Sequence, residues 1–419
     1  MLDDDPKRRI LIIHGTICIM GFGKNDIDKN NKTVRGVTLV HFLLMFGYKL
    51  FSAYFPLFLA AQGFSLVQVG WSYLLIYLPI ALCAPLAGFF SRRVNPVLVM
   101  ILGIIGYAAY ALMMVADGNN GLFFFWQIML GVSASLFFTS SRILLMAYPA
   151  ANMERGFSWF YNAPFWADVF ASAIGGFLIW RAGFTVVFAL SVAITLSAAA
   201  TAAAMLWKVS VREKSRAISL SVWAQKWRNL LARAFDRKMA PGLAVAFAGL
   251  WVNGLFAAFF ILFLKNELNW SRDGVIAYTA YSSAFFSIAY IIFIRPRQRG
   301  VGEKSIVAGA AVSGAFAALF AAPIAFLNFA TVFALSFFRG AGEFICQSGR
   351  SAFVARKMEK DPEEAGAFDT IFSPLGIALG SMTAGLLIGP LGYRGLFSFG
   401  GLVMLSIVLI AYLAGKTNN

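Results

Sequence analysis

Lys49, Asp168, Arg339 and Glu343 each stand near the middle of a long apolar run. A charged side chain at the centre of a membrane-crossing helix costs roughly 2.5 to 3.5 kcal/mol on insertion scales, so four left unpaired would cost on the order of 10 kcal/mol. They must therefore face one another or a wet cavity. Arg339 and Glu343 are spaced i, i+4, so they either neutralise each other along one helix face or, continued by Gln347 and Arg350, form a polar stripe toward a cavity. Asp168 reads two ways, as a structural partner of Lys49 or as a group that takes up and releases a proton. Lys49 and Arg339 are the groups that would attract an anionic or zwitterionic solute. Tyr48, Ser52, Trp126, Gln127, Asn253 and Gln347 are candidate cavity lining, supplying hydrogen bonds and stacking around these charges.

Other chemistries find no residues to carry them. Cys18, Cys83 and Cys346 are odd in number and far apart, which gives neither a disulfide framework nor a metal knuckle. Gly300-Val301-Gly302-Glu303-Lys304-Ser305 breaks the Gly-Lys pair of a phosphate loop and follows no strand, so nothing supports ATP-driven work. There is no H-E-x-x-H and no G-x-S-x-G elbow. No catalytic residue, metal or cofactor is expected, and the chain does not read as an enzyme.

The elements that must hold these residues are membrane helices. Of 419 residues, 60% are hydrophobic and 13% charged, against about 25% charged in soluble domains. The apolar residues come in runs long enough to cross hydrocarbon. Spans are predicted near 37–61, 66–90, 94–116, 121–148, 155–180 and 184–207, then near 241–264, 272–294, 303–323, 328–354, 366–389 and 394–414. This makes an all-α integral membrane protein of twelve transmembrane helices in two pseudo-symmetric six-helix bundles, 37–207 and 241–414. A net charge of +16 does not indicate nucleic acid, because the cations lie between the apolar runs. Loops at one end hold, among others, Arg92, Arg93, Arg155, Arg297, Arg299, Arg356 and Lys357, while those at the other hold only Arg181, Lys265, Arg272 and Arg394. By the positive-inside rule both termini are cytoplasmic. Residues 1–36 then form a cytoplasmic N-terminal arm, 208–240 a basic cytoplasmic linker lying on headgroups or docked on the bundle, and 415–419 a tail. His41, at the start of the first span, reads as interfacial.

The two sets of spans repeat. Leu50 to Leu59 (LFSAYFPLFL) and Leu255 to Leu264 (LFAAFFILFL) are identical at seven of ten positions. Gly156, Pro164 and Gly175 match Gly366, Pro374 and Gly385 at one offset, and Gly183 matches Gly392 after a single-residue gap. Parallel repeats of this kind place a substrate site at their interface near the midplane.

Two six-span halves joined by a basic loop resemble the major facilitator superfamily over 37–416. The family's loop after the second span reads G-x-x-x-D-R-x-G-R-[RK]; here Gly88-Phe89-Phe90-Ser91-Arg92-Arg93 keeps the glycine and one arginine and lacks the acidic residue. Only Gly175-Gly176 remains of the G-P-x-x-G-G motif in span five, and Gln127 stands four residues before Gly131 where the family often has arginine. The resemblance implies that spans one, four, seven and ten line a cavity. Gly88, Arg92, Arg93, Arg142, Arg297, Arg299 and Arg350 are then the cytoplasmic gate. The expected function is secondary active transport of a small organic solute across the plasma or inner membrane by alternating access, proton-coupled. The expected partners are membrane lipids, the solute and protons, with no nucleic acid and a monomeric state. The rival is a transporter-like lipid flippase or a non-transporting membrane sensor.

Overall fold

The computed structural model describes residues 10–13, 16–19, 24–116, 121–148, 153–209, 239–294, 303–358 and 362–417, with isolated positions 225, 228, 232 and 236. Most of the 208–240 linker and residues 295–302 therefore lie outside the described residues. Near the start, β1 (Ile10–Ile13) and β2 (Thr16–Ile19) pair antiparallel, Ile10 opposite Ile19. Everything after them is helical: α1 (Lys24–Ser52), α2 (Phe55–Ala61), α3 (Leu66–Arg93), α4 (Pro96–Ala116), α5 (Phe123–Ala147), α6 (Met153–Leu206), α7 (Ala240–Asn266), α8 (Arg272–Ala289), α9 (Glu303–Ala318), α10 (Phe329–Lys357) and α11 (Pro362–Thr417), with a π turn at Tyr290–Ile294 and short 3-10 turns after α9.

Among the described residues ten helices are long and apolar enough to cross a membrane. Two of them, Trp159–Leu206 and Thr370–Leu413, are 48 and 44 residues long, about twice the ~20 residues a crossing needs. Each is broken by one glycine, Gly183 at φ 81, ψ −178 and Gly392 at φ 64, ψ 179. That backbone region is open essentially to glycine alone. Counting two crossings for each gives twelve, which fits the predicted number. The two glycines are those matched by the sequence repeat, so equivalent residues make equivalent turns in the two halves.

The first predicted span differs from a single straight helix. α1 begins well before residue 37 and ends at Ser52, and α2 starts at Phe55. Pro56 has no N–H to donate and disfavours helical backbone in the residue before it. The repeat-equivalent segment has Ile261 in that place and runs unbroken within α7. Helix starts are capped where the chain re-enters: Ser65 and Gln68 form a reciprocal capping box, and Ser271 and Asn328 accept from the third residue of their helices.

Lipid tails offer no hydrophobic drive for one helix to join another, so close packing and internal hydrogen bonds hold the bundle. In the second half Phe256, Phe260, Phe263, Phe320 and Phe397 interlock, Phe256 stacking on Phe397 at 4.2 Å between centroids. Between the halves, α3 packs along α11 and α6 along α8. His41 is 2% exposed, with Nδ1 3.0 Å from the Phe160 carbonyl and the rings of Phe137, Phe138 and Phe160 around it, so it is covered by α5 and α6.

Candidate functional site

The four central charges resolve into two pairs, one in each half. Lys49, in the last turn of α1, points its Nζ at Asp168 Oδ2 of α6, 3.4 Å away. Ser172, one turn along α6, donates to Asp168 Oδ1 at 2.9 Å, and Tyr54 donates to the Ser172 carbonyl at 2.7 Å. Helices α1 and α6 come this close because Gly175 lies against the Leu50 backbone, where any side chain would collide. The Lys49 and Asp168 side chains keep 31% and 21% of their surface, so this pair is only half-buried.

In the second half Arg339 Nη1 donates to Glu343 Oε2 at 3.2 Å within α10, and these side chains are only 14% and 15% exposed. The guanidinium lies 4.2 Å from the centroid of Phe256, an aromatic face that partly replaces lost solvation. Arg339 Nε has no hydrogen-bond partner among the described residues. The helix-face reading of this pair is thus realised, with one donor left over.

Phe165 of α6 and Phe344 of α10 meet edge to face at 5.5 Å, and Phe344 also stacks on Tyr290. Phe165 is one turn from Asp168 and Phe344 is next to Glu343. The two ion pairs therefore flank one contact between the halves.

The remaining candidates spread around this centre. Tyr48 packs on Phe51 and Tyr107. Gln127 is fully buried and accepts from Tyr110 at 3.1 Å. Gln347 donates to the Ala246 carbonyl at 3.3 Å, tying α10 to α7. Trp126, Ser52 and Asn253 are half-buried. Of the gate candidates, Gly88 sits beside Thr139 of α5, and Arg93 is exposed with its guanidinium over Phe89 at 4.3 Å. Arg142 and Arg350, equivalent in the repeat, each lie over an aromatic ring, Tyr161 at 6.0 Å and Phe372 at 5.3 Å. The Arg92 side chain, Arg297 and Arg299 lie outside the described residues.

Sequence reasoning missed two groups. Tyr73, Tyr77, Tyr107 and Tyr110 gather beside Tyr48; their i, i+4 and i, i+3 spacing on α3 and α4 was the available signal. Glu267 pairs with Arg394 at 2.6 Å across 127 residues, which no local pattern announces. The few cations at the end away from the termini are largely engaged: Arg394 in that pair, Arg272 donating to the Ile179 carbonyl at 3.3 Å between the halves, and Arg181 over Trp180. At the same end a Cβ on Gly70 would lie 2.9 Å from Gly385 Cα and 2.7 Å from the Ser381 carbonyl. The halves touch there backbone to backbone.

The family model described as Major Facilitator Superfamily matches residues 37–368. No curated protein matches in sequence. Among solved structures, a POT family transporter in complex with 5-aminolevulinic acid superposes with TM-score 0.73 at 12% identity, covering 91% of this chain and 95% of that one. A structure titled for substrate recognition in proton dependent oligopeptide transporters gives 0.69 at 13%, covering 92% and 98%. A mutant of the nucleoside transporter NupG gives 0.70 at 11%, covering 92% and 99%. Identities this low speak to the fold alone.

Proposed function

The chain belongs to the major facilitator superfamily, and we propose that it is a secondary transporter that moves a small organic solute through a midplane site between its halves, coupled to protons. The observation that carries this reading is the pair of ion pairs, Lys49–Asp168 and Arg339–Glu343, set on either side of the Phe165–Phe344 contact. Charges are retained in hydrocarbon where they bind or relay. One ion pair in each half gives a solute two charged anchors that separate when the halves rock. The cations then hold an anionic or zwitterionic group, and a carboxylate released from its cation takes the proton. 5-Aminolevulinic acid, bound in a POT family transporter of the same fold, belongs to the zwitterionic class this reading calls for.

In this scheme the Gly70–Gly385 seam closes one mouth of the cavity, and residues 37–207 rock against 241–414. The test is transport by the reconstituted protein. Asp168→Asn or Glu343→Gln abolishes uphill uptake under a proton-motive force while counterflow exchange partly survives, because exchange need not release the proton. Lys49→Ala and Arg339→Ala weaken binding itself. If both neutral carboxylate variants still concentrate solute, coupling through these residues is wrong and the four charges are a structural network. Lipid movement without gradient-driven solute uptake would favour a flippase.

A further inference from the structure

Five tyrosines from three helices meet in the first half: Tyr48 of α1, Tyr73 and Tyr77 of α3, and Tyr107 and Tyr110 of α4. Tyr48 meets Tyr107 edge-on at 5.7 Å, Tyr73 and Tyr77 stack at 16°, and the Tyr48 hydroxyl is within electrostatic range of the other four. Tyr48 precedes Lys49 near the end of its helix, and the other four lie inside theirs. Buried phenols ordinarily find a hydrogen-bond partner. Here the one bond is from Tyr110 to Gln127 Oε1, and the hydroxyls of Tyr48, Tyr73, Tyr77 and Tyr107 have none among the described residues. The closed-off polar atoms without a partner in this region are Gln127 Nε2 and Trp126 Nε1. Gln127 is 0% exposed, and whichever way its amide is turned one end stays unsatisfied. A fully buried amide left half-bonded is destabilising. Such a cost is tolerated where a ligand or water completes the set.

We propose that this tyrosine–Gln127 cluster is a recognition subsite for an uncharged, planar, hydrogen-bonding ring on the solute, of the phenol or heteroaromatic kind. The inference rests on reading the protein as a solute transporter. The cluster holds no carboxylate, and the nearest, Asp168, is paired with Lys49. Tyr73 stacks on Tyr77 and the other rings pack on Phe51, Phe55 and one another, which leaves hydroxyl edges that both donate and accept. An ammonium group would instead need open faces, and an aliphatic tail would leave every hydroxyl and the Gln127 amide unsatisfied. The solute thus divides into a charged head, held by the ion pairs, and a polar ring, held here.

The test is ligand-induced thermal stabilisation of the full-length protein in nanodiscs with matched probes: p-hydroxybenzoate against cyclohexanecarboxylate, tyrosine against cyclohexylalanine, and choline. The ring-bearing member of at least one pair binds about tenfold tighter, the size of one or two net hydrogen bonds. Tyr73→Phe, Tyr107→Phe and Gln127→Leu each erode that preference without changing the affinity of the ringless member. The tyrosine variants keep their rings, so they remain informative if Gln127→Leu fails to fold. Equal binding within both pairs, preference for choline, no stabilisation by any probe, or tyrosine variants that behave as wild type would each overturn the inference. Arg339→Ala separates this from the reading it rests on. It weakens both members of a pair equally, and if it weakens neither, the charge-anchor reading fails while ring selectivity stands.

Discussion

Phe165 and Phe344 meet edge to face across the two halves at 5.5 Å, each within one helical turn of an ion-paired carboxylate, Asp168 and Glu343. An aromatic contact at such a place is broken and remade if the halves rock about it. Edge-to-face pairs are worth about 0.5 to 1.5 kcal/mol beyond area burial, enough to bias two states without locking either.

Phe165→Ala and Phe344→Ala should therefore couple. A double-mutant cycle on unfolding in mixed micelles is expected to give an interaction of about 1 kcal/mol. In transport assays the double variant should resemble either single one. Full additivity of the two losses would mean the rings do not act on each other.

The two ion pairs should differ in how much stability each carries. Arg339→Ala strands Glu343 in a site 15% exposed, and breaking a buried pair costs about 3 kcal/mol or more. Lys49→Ala leaves Asp168 with Ser172 in the more open of the two sites, so a loss nearer 1 kcal/mol is expected. Arg339→Gln with Glu343→Gln should recover part of the larger loss. Denaturant unfolding of the four variants checks the order.

The seam at the end away from the termini depends on Gly70, which has no room for a side chain, and on Gly385, where a Cβ would press on Gly70 Cα at 3.2 Å and the Val67 carbonyl at 3.3 Å. Gly70→Val or Gly385→Val is expected to hold the halves apart there. Transport should fall several-fold, while a single cysteine placed near that mouth becomes more reactive to a thiol reagent. The double variant should be no worse than either, since both wedge the same contact.

Gly183 and Gly392 carry positive φ with extended ψ. Alanine at either position should cost about 1 to 3 kcal/mol, and the two costs should agree because the turns are equivalent. Unequal losses, with one variant at wild-type stability, would show that the helix break at that position tolerates another backbone.

Orientation follows from the charge of the loops and is tested by labelling. With Cys18, Cys83 and Cys346 replaced, single cysteines at Asn119 and Lys226 should react from opposite sides of the membrane. Reaction from one side would require the crossings between them to be recounted.

Membrane crossings were legible because hydrocarbon imposes a length and a composition that survive in a bare sequence. The repeat was legible because Gly183 and Gly392 must be glycine wherever the chain makes that turn. The Arg339–Glu343 pair was legible for a similar reason, since one helix fixes the i, i+4 geometry. The break after Ser52 was also announced, by Pro56, although the long apolar run concealed it.

Tertiary structure decided which distant residues meet, the Lys49–Asp168 pair being one that the sequence had offered as an alternative. Lys49 finds Asp168 because Gly175 lets α1 and α6 close on each other, and Phe165 finds Phe344 because α6 and α10 come from different halves of the bundle. The tyrosine cluster and the Glu267–Arg394 pair arise the same way. His41 shows what position in a span leaves open: neighbouring helices, not its distance from the helix start, set its burial. Periodicity in a sequence states which face of a helix a residue occupies, but the partner of that face is chosen by packing among all the helices.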